Sequence, residues 1–321
     1  TGIGILALLG VVQLGIPYIL YALASKRCST VTCSVLAAIE PLLNPVWVAL
    51  TGGGVPTLEN NSFSGGPAKP GIATVEDLTA FRDAVNAGES TAQWEDAGGV
   101  VSLLGDIDMK DVAGWTPIGN ASYKWEKNLL TIEGNAFKGT FDGQGFAVKN
   151  LNYTADMSTG KWGYAFFGSL DGATVRNLTL GDPDTDITWT FTGDAPKATS
   201  VASLAVYAVN STIESCTNYY NIDFAGDSGS EVLCVASGLV GVMKNSTIGG
   251  RAKSLGCANY GFVRTGKITN NGNGGNGMQT AGICGFMAKD EGNLIQFCVN
   301  YGHISCPTGR TGGLVATLMN G

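Results

Sequence analysis

Cys216-Thr217-Asn218-Tyr219, Cys257-Ala258-Asn259-Tyr260 and Cys298-Val299-Asn300-Tyr301 are three copies of one step, 41 residues apart each time. A short strand pattern follows each copy: Asn221-Ile222-Asp223, Phe262-Val263-Arg264 and His303-Ile304-Ser305. A small-residue strand pattern precedes each: Val201 to Val206, Ala236 to Gly241 and Thr280 to Gly285. A further copy opens at Thr311-Gly312-Gly313-Leu314-Val315, and a looser one runs from Tyr164 to Leu180. A unit of roughly 40 residues holding three short strands cannot bury its own apolar face, whereas stacked units bury a continuous core. The repeat therefore predicts a mainly β protein, a right-handed parallel β-helix. Equivalent residues would lie one above another at the ~4.8 Å strand spacing, in inward ladders of Leu, Ile, Val and Cys and turn ladders of Asn. A β-sandwich is the alternative, disfavoured because the units recur head to tail rather than as hairpins.

Upstream of the repeats, Thr74 to Gly88 reads as a helix. Thr74 is the N-cap, Glu76 and Asp77 lie in the first turn, and Gly88 stands past the end. Val75, Leu78, Phe81 and Val85 share one face, suited to capping the open apolar end of a solenoid. Residues 51–71 are glycine, proline and small polar residues without periodicity, a linker by composition. Glycine reaches 47 of 321 residues and charged residues only 14%, with net charge −7. That balance argues against a disordered polyelectrolyte, a coiled coil and a nucleic-acid binder. One histidine, His303, leaves little scope for catalytic triads or His-based zinc sites.

The first fifty residues are different material. Ile3 to Ala24 carries no charge, and Thr30 to Leu50 is interrupted only by Glu40 and Asn44. Each run is long enough to cross a ~30 Å hydrocarbon core. Lys26 and Arg27 occupy the connection, which predicts a transmembrane hairpin with its turn on the cytoplasmic side. A buried hairpin of a soluble protein is the alternative. Gln13-Leu14-Gly15-Ile16-Pro17-Tyr18 and Ile39-Glu40-Pro41 resemble two late helices of EamA-type drug/metabolite transporters, over roughly residues 6–50. The resemblance implies an intramembrane role for Gln13, Glu40 and Asn44. The expected organisation is two transmembrane helices over 1–50, a linker over 51–71 and a β-helix over 72–321, truncated at its C-terminus.

Within the body, Trp115-Thr116-Pro117-Ile118-Gly119, then Phe137-Lys138-Gly139-Thr140-Phe141-Asp142-Gly143-Gln144-Gly145 and Val148-Lys149-Asn150-Leu151, resemble the lead-in of GLUG-motif surface proteins of Bacteroidales. Ser237-Gly238-Leu239-Val240-Gly241 stands in place of the name-giving motif. This resemblance implies a secreted, adhesin-like β-helix without assigned catalysis.

Candidate chemistry is sparse. Cys216, Cys257 and Cys298 share one repeat position and read as buried thiols rather than disulfide partners; Cys234, Cys284 and Cys306 fall outside that register. Asp106-Ile107-Asp108 places two acids on one face of a strand, and Asp182, Asp184 and Asp186 alternate in a loop. Paired acids suit glycoside hydrolysis and an alternating acidic loop suits Ca²⁺, but turn-capping is the commoner role of such residues. Asp142 reads as a turn former. Asn120, Asn152, Asn177, Asn210 and Asn245 head Asn-x-Ser/Thr triplets that turn chemistry alone accounts for. Insertions at 192–199, 223–232 and 265–279 fall on one edge of the solenoid, which makes Asn271, Asn273 and Asn276 candidate binding residues, with Trp189 and Tyr220 as sugar-stacking candidates.

The resulting expectation is a membrane-tethered, cell-surface β-helix that binds glycan or a host protein. It would have no catalytic residues, metal or cofactor, would contact the membrane through residues 3–50, and would not bind nucleic acid. Two alternatives stay open: a transporter fragment joined to an unrelated domain, and a polysaccharide-processing β-helix enzyme. Convergence of Asp106, Asp108 and other acids with Lys or Arg in a groove would mark the enzyme.

Overall fold

A computed structural model describes residues 70–319, apart from 127–128, 160, 196–197, 227–232, 267–276 and 290–291, and gives the backbone alone over 123–132. Its strands form five parallel ladders. The first holds Val100–Ser102, Thr140–Asp142, Thr174–Arg176, Thr212–Glu214, Thr247–Ile248 and Leu294–Ile295. The second holds Ile107–Asp108, Ala147–Lys149, Thr179–Leu180, Thr217–Asn218, Ala258–Asn259 and Val299–Asn300. The third runs through Thr188–Thr192 and Asn221–Phe224, the fourth through Thr199–Ala202 and Cys234–Ser237, and the fifth through Ala205–Val209 and Val240–Lys244. The first coil enters only the first two ladders and each later coil visits all five in turn, so the fold is a parallel β-helix. The one antiparallel pair among the described strands is a hairpin, Ser122–Glu126 with Leu129–Glu133. A sandwich of hairpins is excluded.

Each later coil thus carries five strands where the repeat suggested three. The extra ones are only two or three residues long, such as Thr212–Glu214 and Thr217–Asn218, too short to show a period of their own.

The inward ladders form as the repeat demands. Val101, Phe141, Val175, Ile213 and Ile248 stack in register along the first sheet and are all buried. Along the second, Ile107, Val148 and Leu180 give way to Asn218, Asn259 and Asn300. Three stacked amides, two of them fully buried and Asn300 half-buried, are tolerated because they satisfy one another. Asn218 Nδ2 donates to Asn259 Oδ1 and Asn259 Nδ2 to Asn300 Oδ1, each at 2.8 Å. Each asparagine also donates to the carbonyl two residues on, at 2.8–2.9 Å. Buried polar groups persist only when so partnered. The motif glycines are the other half of this device. A Cβ at Gly238 would collide with the Asn259 side chain, and one at Gly282 with that of Asn300.

The helix α1, Val75–Ala87, closes the first coil. Thr74 Oγ1 accepts from the Asp77 amide while the Asp77 carboxylate accepts from the Thr74 amide, a capping box, and Gly88 ends the helix at φ +73°. Its buried face of Leu78, Phe81, Ala84 and Val85 presents Phe81 to Trp94, Phe137 and Phe141, with ring centroids 5.6, 5.7 and 6.1 Å away. At the other end, Leu294, Phe297, Val299, Tyr301, Leu314 and Leu318 of the last coil are exposed.

Among the described residues no helix is long and apolar enough to cross a membrane. A span needs ~20 apolar residues, and α1 has 13 with a charged outer face. The expected transmembrane hairpin ahead of the solenoid, and with it membrane anchoring, the membrane as a partner and the extracytoplasmic placement that depended on it, is therefore supported by no described residue. The two apolar runs, with Gln13, Glu40 and Asn44, lie outside the described residues.

Candidate functional site

Stacking also aligns the residues that point outward. Asp106 precedes the first strand of the second sheet, Lys149 ends the next, and Asp182 follows the third. Successive coils therefore bring the three together. Lys149 Nζ lies 2.9 Å from a carboxylate oxygen of Asp106 and 2.9 Å from one of Asp182. The amide of Ala147, then Lys149, hold the Asp106 carboxyl below its ordinary range. The amide of Asp184, then Lys149, do the same for Asp182. Hydrogen bonds from Asp106 and Asp182 push the Lys149 ammonium upward, so it stays protonated. Asp108 turns aside: its Oδ1 accepts from Asn150 Nδ2 at 2.7 Å and from the Lys110 amide at 3.1 Å.

Asp182 opens a tight loop, accepting from the Asp184 amide at 2.9 Å while its carbonyl accepts from the Thr185 amide at 3.2 Å. This loop walls an open pocket of about 600 Å³ with Asp182, Asp184, Thr185, Asp186, Asn221, Tyr219 and Tyr260. Asn221 Nδ2 donates to Asp186 and its Oδ1 accepts from the Phe262 amide, so the wall is braced from the next coils. The pocket's aromatic side belongs to a ladder. Tyr219 stacks on Tyr260 at 4.9 Å and 11°, and Tyr260 on Tyr301 at 4.8 Å and 18°.

The residues expected to stack on a sugar are elsewhere. Trp189 is fully buried, and its Nε1 donates to the Leu151 carbonyl at 2.8 Å. Tyr220 is buried against it at 5.1 Å, with its hydroxyl donating to Val148 O at 2.7 Å and accepting from the Leu151 amide at 3.0 Å. Both are core. Asn271, Asn273 and Asn276 lie outside the described residues. The insertions do join the third sheet to the fourth in each coil. Sequence reading passed over Tyr219 and Tyr260, whose signal was present in the Tyr of each repeated step. It also passed over Lys149, whose role only the stacking of coils reveals.

Other candidates resolve into scaffold. Asp142 Oδ1 accepts from the Gln144 amide and Asn177 Nδ2, and its Oδ2 pairs with Arg176 Nε at 2.8 Å. Burial pushes that carboxyl up, but the hydrogen bonds from Asn177, Gln144 and Arg176 outweigh it and leave it lowered. Asn177, Asn210 and Asn245 occupy left-handed turn positions. Their side-chain amides donate to Asp142, Asp171 and Asn210 respectively, at 2.7–3.2 Å. No disulfide joins the six described cysteines. The thiols of Cys216, Cys257 and Cys298 donate to backbone carbonyls at 3.3–3.7 Å. Among the described residues no group of three or more His, Cys, Asp or Glu side chains is placed to hold a metal ion.

No family model matches the chain, and no curated protein matches it. A solved structure described as a candidate immunoglobulin A1 protease from Bacteroides ovatus superposes with a TM-score of 0.48 at 18% identity. It covers 78% of this chain, which spans 62% of that structure's length, a likeness too distant to bear on function. The resemblances to EamA-type transporters and to GLUG-motif surface proteins are corrected by these findings, since neither family is matched. The physical reason is plain for the second. Gly238 and Gly282 are required by the amide ladder they pack against, so packing alone accounts for small residues at these positions.

Proposed function

We propose that the described body is a polysaccharide-processing β-helix whose substrate lies in the pocket between the Asp182–Asp186 loop and the tyrosine ladder. This replaces the expected membrane-tethered adhesin and departs from the expectation of a module without catalysis. One observation carries it: carboxylates from the coils on either side converge on a lysine beside an open pocket that two tyrosines and an amide complete.

Roles follow from the charges. Asp106 and Asp182 are held ionised by Lys149 and backbone amides, so neither donates a proton at neutral pH. Lys149 stays charged and cannot act as a base. These three fix the loop. Acid–base work on a glycosidic bond needs a pair of carboxyl groups, and Asp184 and Asp186, which line the pocket, are the residues assigned to it. Tyr260, stacked on both faces, offers its exposed ring edge to sugar C–H groups, while Asn221 fixes Asp186 in the pocket wall. The excess of negative charge around the pocket favours a neutral or amino polysaccharide over an acidic one.

The test is incubation of the chain with neutral, amino and acidic polysaccharides, following new reducing ends. Release from a neutral or amino polymer, lost in Asp184→Asn/Asp186→Asn with binding retained, is the expected result. Retardation of the protein in a polysaccharide gel without any release would reject processing, and neither retardation nor release would reject the pocket.

A further inference from the structure

We propose that Tyr219, Tyr260 and Tyr301 form an oxidative cross-linking site, at which peroxide-driven coupling of adjacent phenols staples successive coils of the solenoid. Each tyrosine follows a ladder asparagine whose Cα partners are in register, so the three side chains leave the backbone in parallel. Their rings overlap at 4.9 and 4.8 Å with planes only 11° and 18° apart. Phenols so stacked need only a rotation about their side-chain bonds to bring ring carbons together. Access is the second condition. Tyr260 is 46% and Tyr301 65% exposed, whereas Tyr153, Tyr164, Tyr207 and Tyr220 are all buried. Among tyrosines with described side chains, those that a large oxidant can reach are therefore the ones already paired.

The chemistry balances with a haem peroxidase and hydrogen peroxide as oxidant. Each of two phenols loses one electron and its hydroxyl proton. The two phenoxyl radicals join at carbons ortho to oxygen, forming one C–C bond. The hydrogens on those two carbons then move to the oxygens, restoring both phenols. One hydrogen peroxide is reduced to two waters for each cross-link. The bond ties residues 41 apart in sequence, and closing such a loop restricts the unfolded chain as a disulfide does. It would also fasten the last coil, whose outer strand edges meet no further coil among the described residues.

The experiment treats the full chain, dilute, with peroxidase and limiting hydrogen peroxide. The expected result is dityrosine fluorescence in a species that remains monomeric on a denaturing gel. Its mass is lower by two hydrogens per cross-link, its peptides join Tyr219 to Tyr260 or Tyr260 to Tyr301, and its thermal midpoint is raised. Tyr260→Phe, which keeps the stacked ring, loses the fluorescence, while Tyr219→Phe and Tyr301→Phe each keep one of the two linked peptides. Fluorescence undiminished in Tyr260→Phe overturns the proposal. So do linked peptides that join other tyrosines or two molecules, and so does the absence of any cross-link in wild type. Circular dichroism confirms that the variants fold.

Discussion

Replacing Asn259 by alanine tests the amide ladder at its centre. The substitution removes the bond that Asn259 accepts from Asn218 Nδ2 and the two it donates, to Asn300 Oδ1 and the Gly261 carbonyl. Asn218 and Asn259 are fully buried, so water does not replace what is lost. Three polar atoms lose a partner, and each buried orphan costs about 1–3 kcal/mol, the half-buried Asn300 Oδ1 less because water reaches it. Asn218 keeps its second bond, to Tyr220 O, which holds its share near the lower limit. A loss of about 3–6 kcal/mol follows, a large fraction of the ~5–15 kcal/mol that stabilises an ordinary domain. The control is Asn210→Gly, because Asn210 sits at φ +51°, a left-handed position that alanine would strain and glycine adopts freely. Asn210 also bonds along a ladder, accepting from Asn245 at 2.7 Å, but it is exposed, and water takes over at a cost within about 1 kcal/mol. The measurement is the shift of the denaturant midpoint with the slope held in view. Equal shifts for the two variants would show that the asparagines are not the buried, mutually satisfied ladder described above.

Other outcomes follow from the same geometry. Asp106 and Asp182 have carboxyl groups lowered in the folded state, so their contribution to stability is present above the ordinary carboxylate range and lost as pH falls through it. Lys149→Met should therefore lower the thermal midpoint at neutral pH, with the gap to wild type closing as pH drops below ~4; a gap independent of pH would refute the ion triad. Trp189→Ala should destabilise by about 3–5 kcal/mol as a core truncation, read by denaturant melts, and should not act by weakening ligand contacts. Burial pushes the Cys284 thiol up to about 12, and Cys216, Cys234 and Cys257 are buried as well. Thiol reagents at pH 8 should leave these four unmodified until the protein unfolds, as peptide mapping will show.

The helix and the repeat were legible in the chain because their causes are local. Thr74, Asp77 and Gly88 act within one or two turns of backbone, and the Cys-x-Asn-Tyr step announces itself by recurring at a fixed interval. The site was only half legible. Aspartates alternating in a loop are visible in sequence, but alternation does not say what they face. Trp189 and Tyr220 illustrate the difficulty: a large amphipathic ring in a strand looks the same whether it points inward to a carbonyl or outward to a ligand.

What the sequence by itself determined is the periodicity. Small, apolar and amide residues returning every coil oblige a solenoid, since no single unit can bury its own face. What only the tertiary structure decided is which residues from different coils meet. Asp106, Lys149 and Asp182 are separated by 43 and 33 residues and share no local pattern, yet stacking sets each aspartate 2.9 Å from the Lys149 ammonium. The amide ladder and the tyrosine ladder are likewise properties of vertical register. A strand carries its inward or outward orientation in its own alternation, but the neighbour above it is fixed only when the next coil closes.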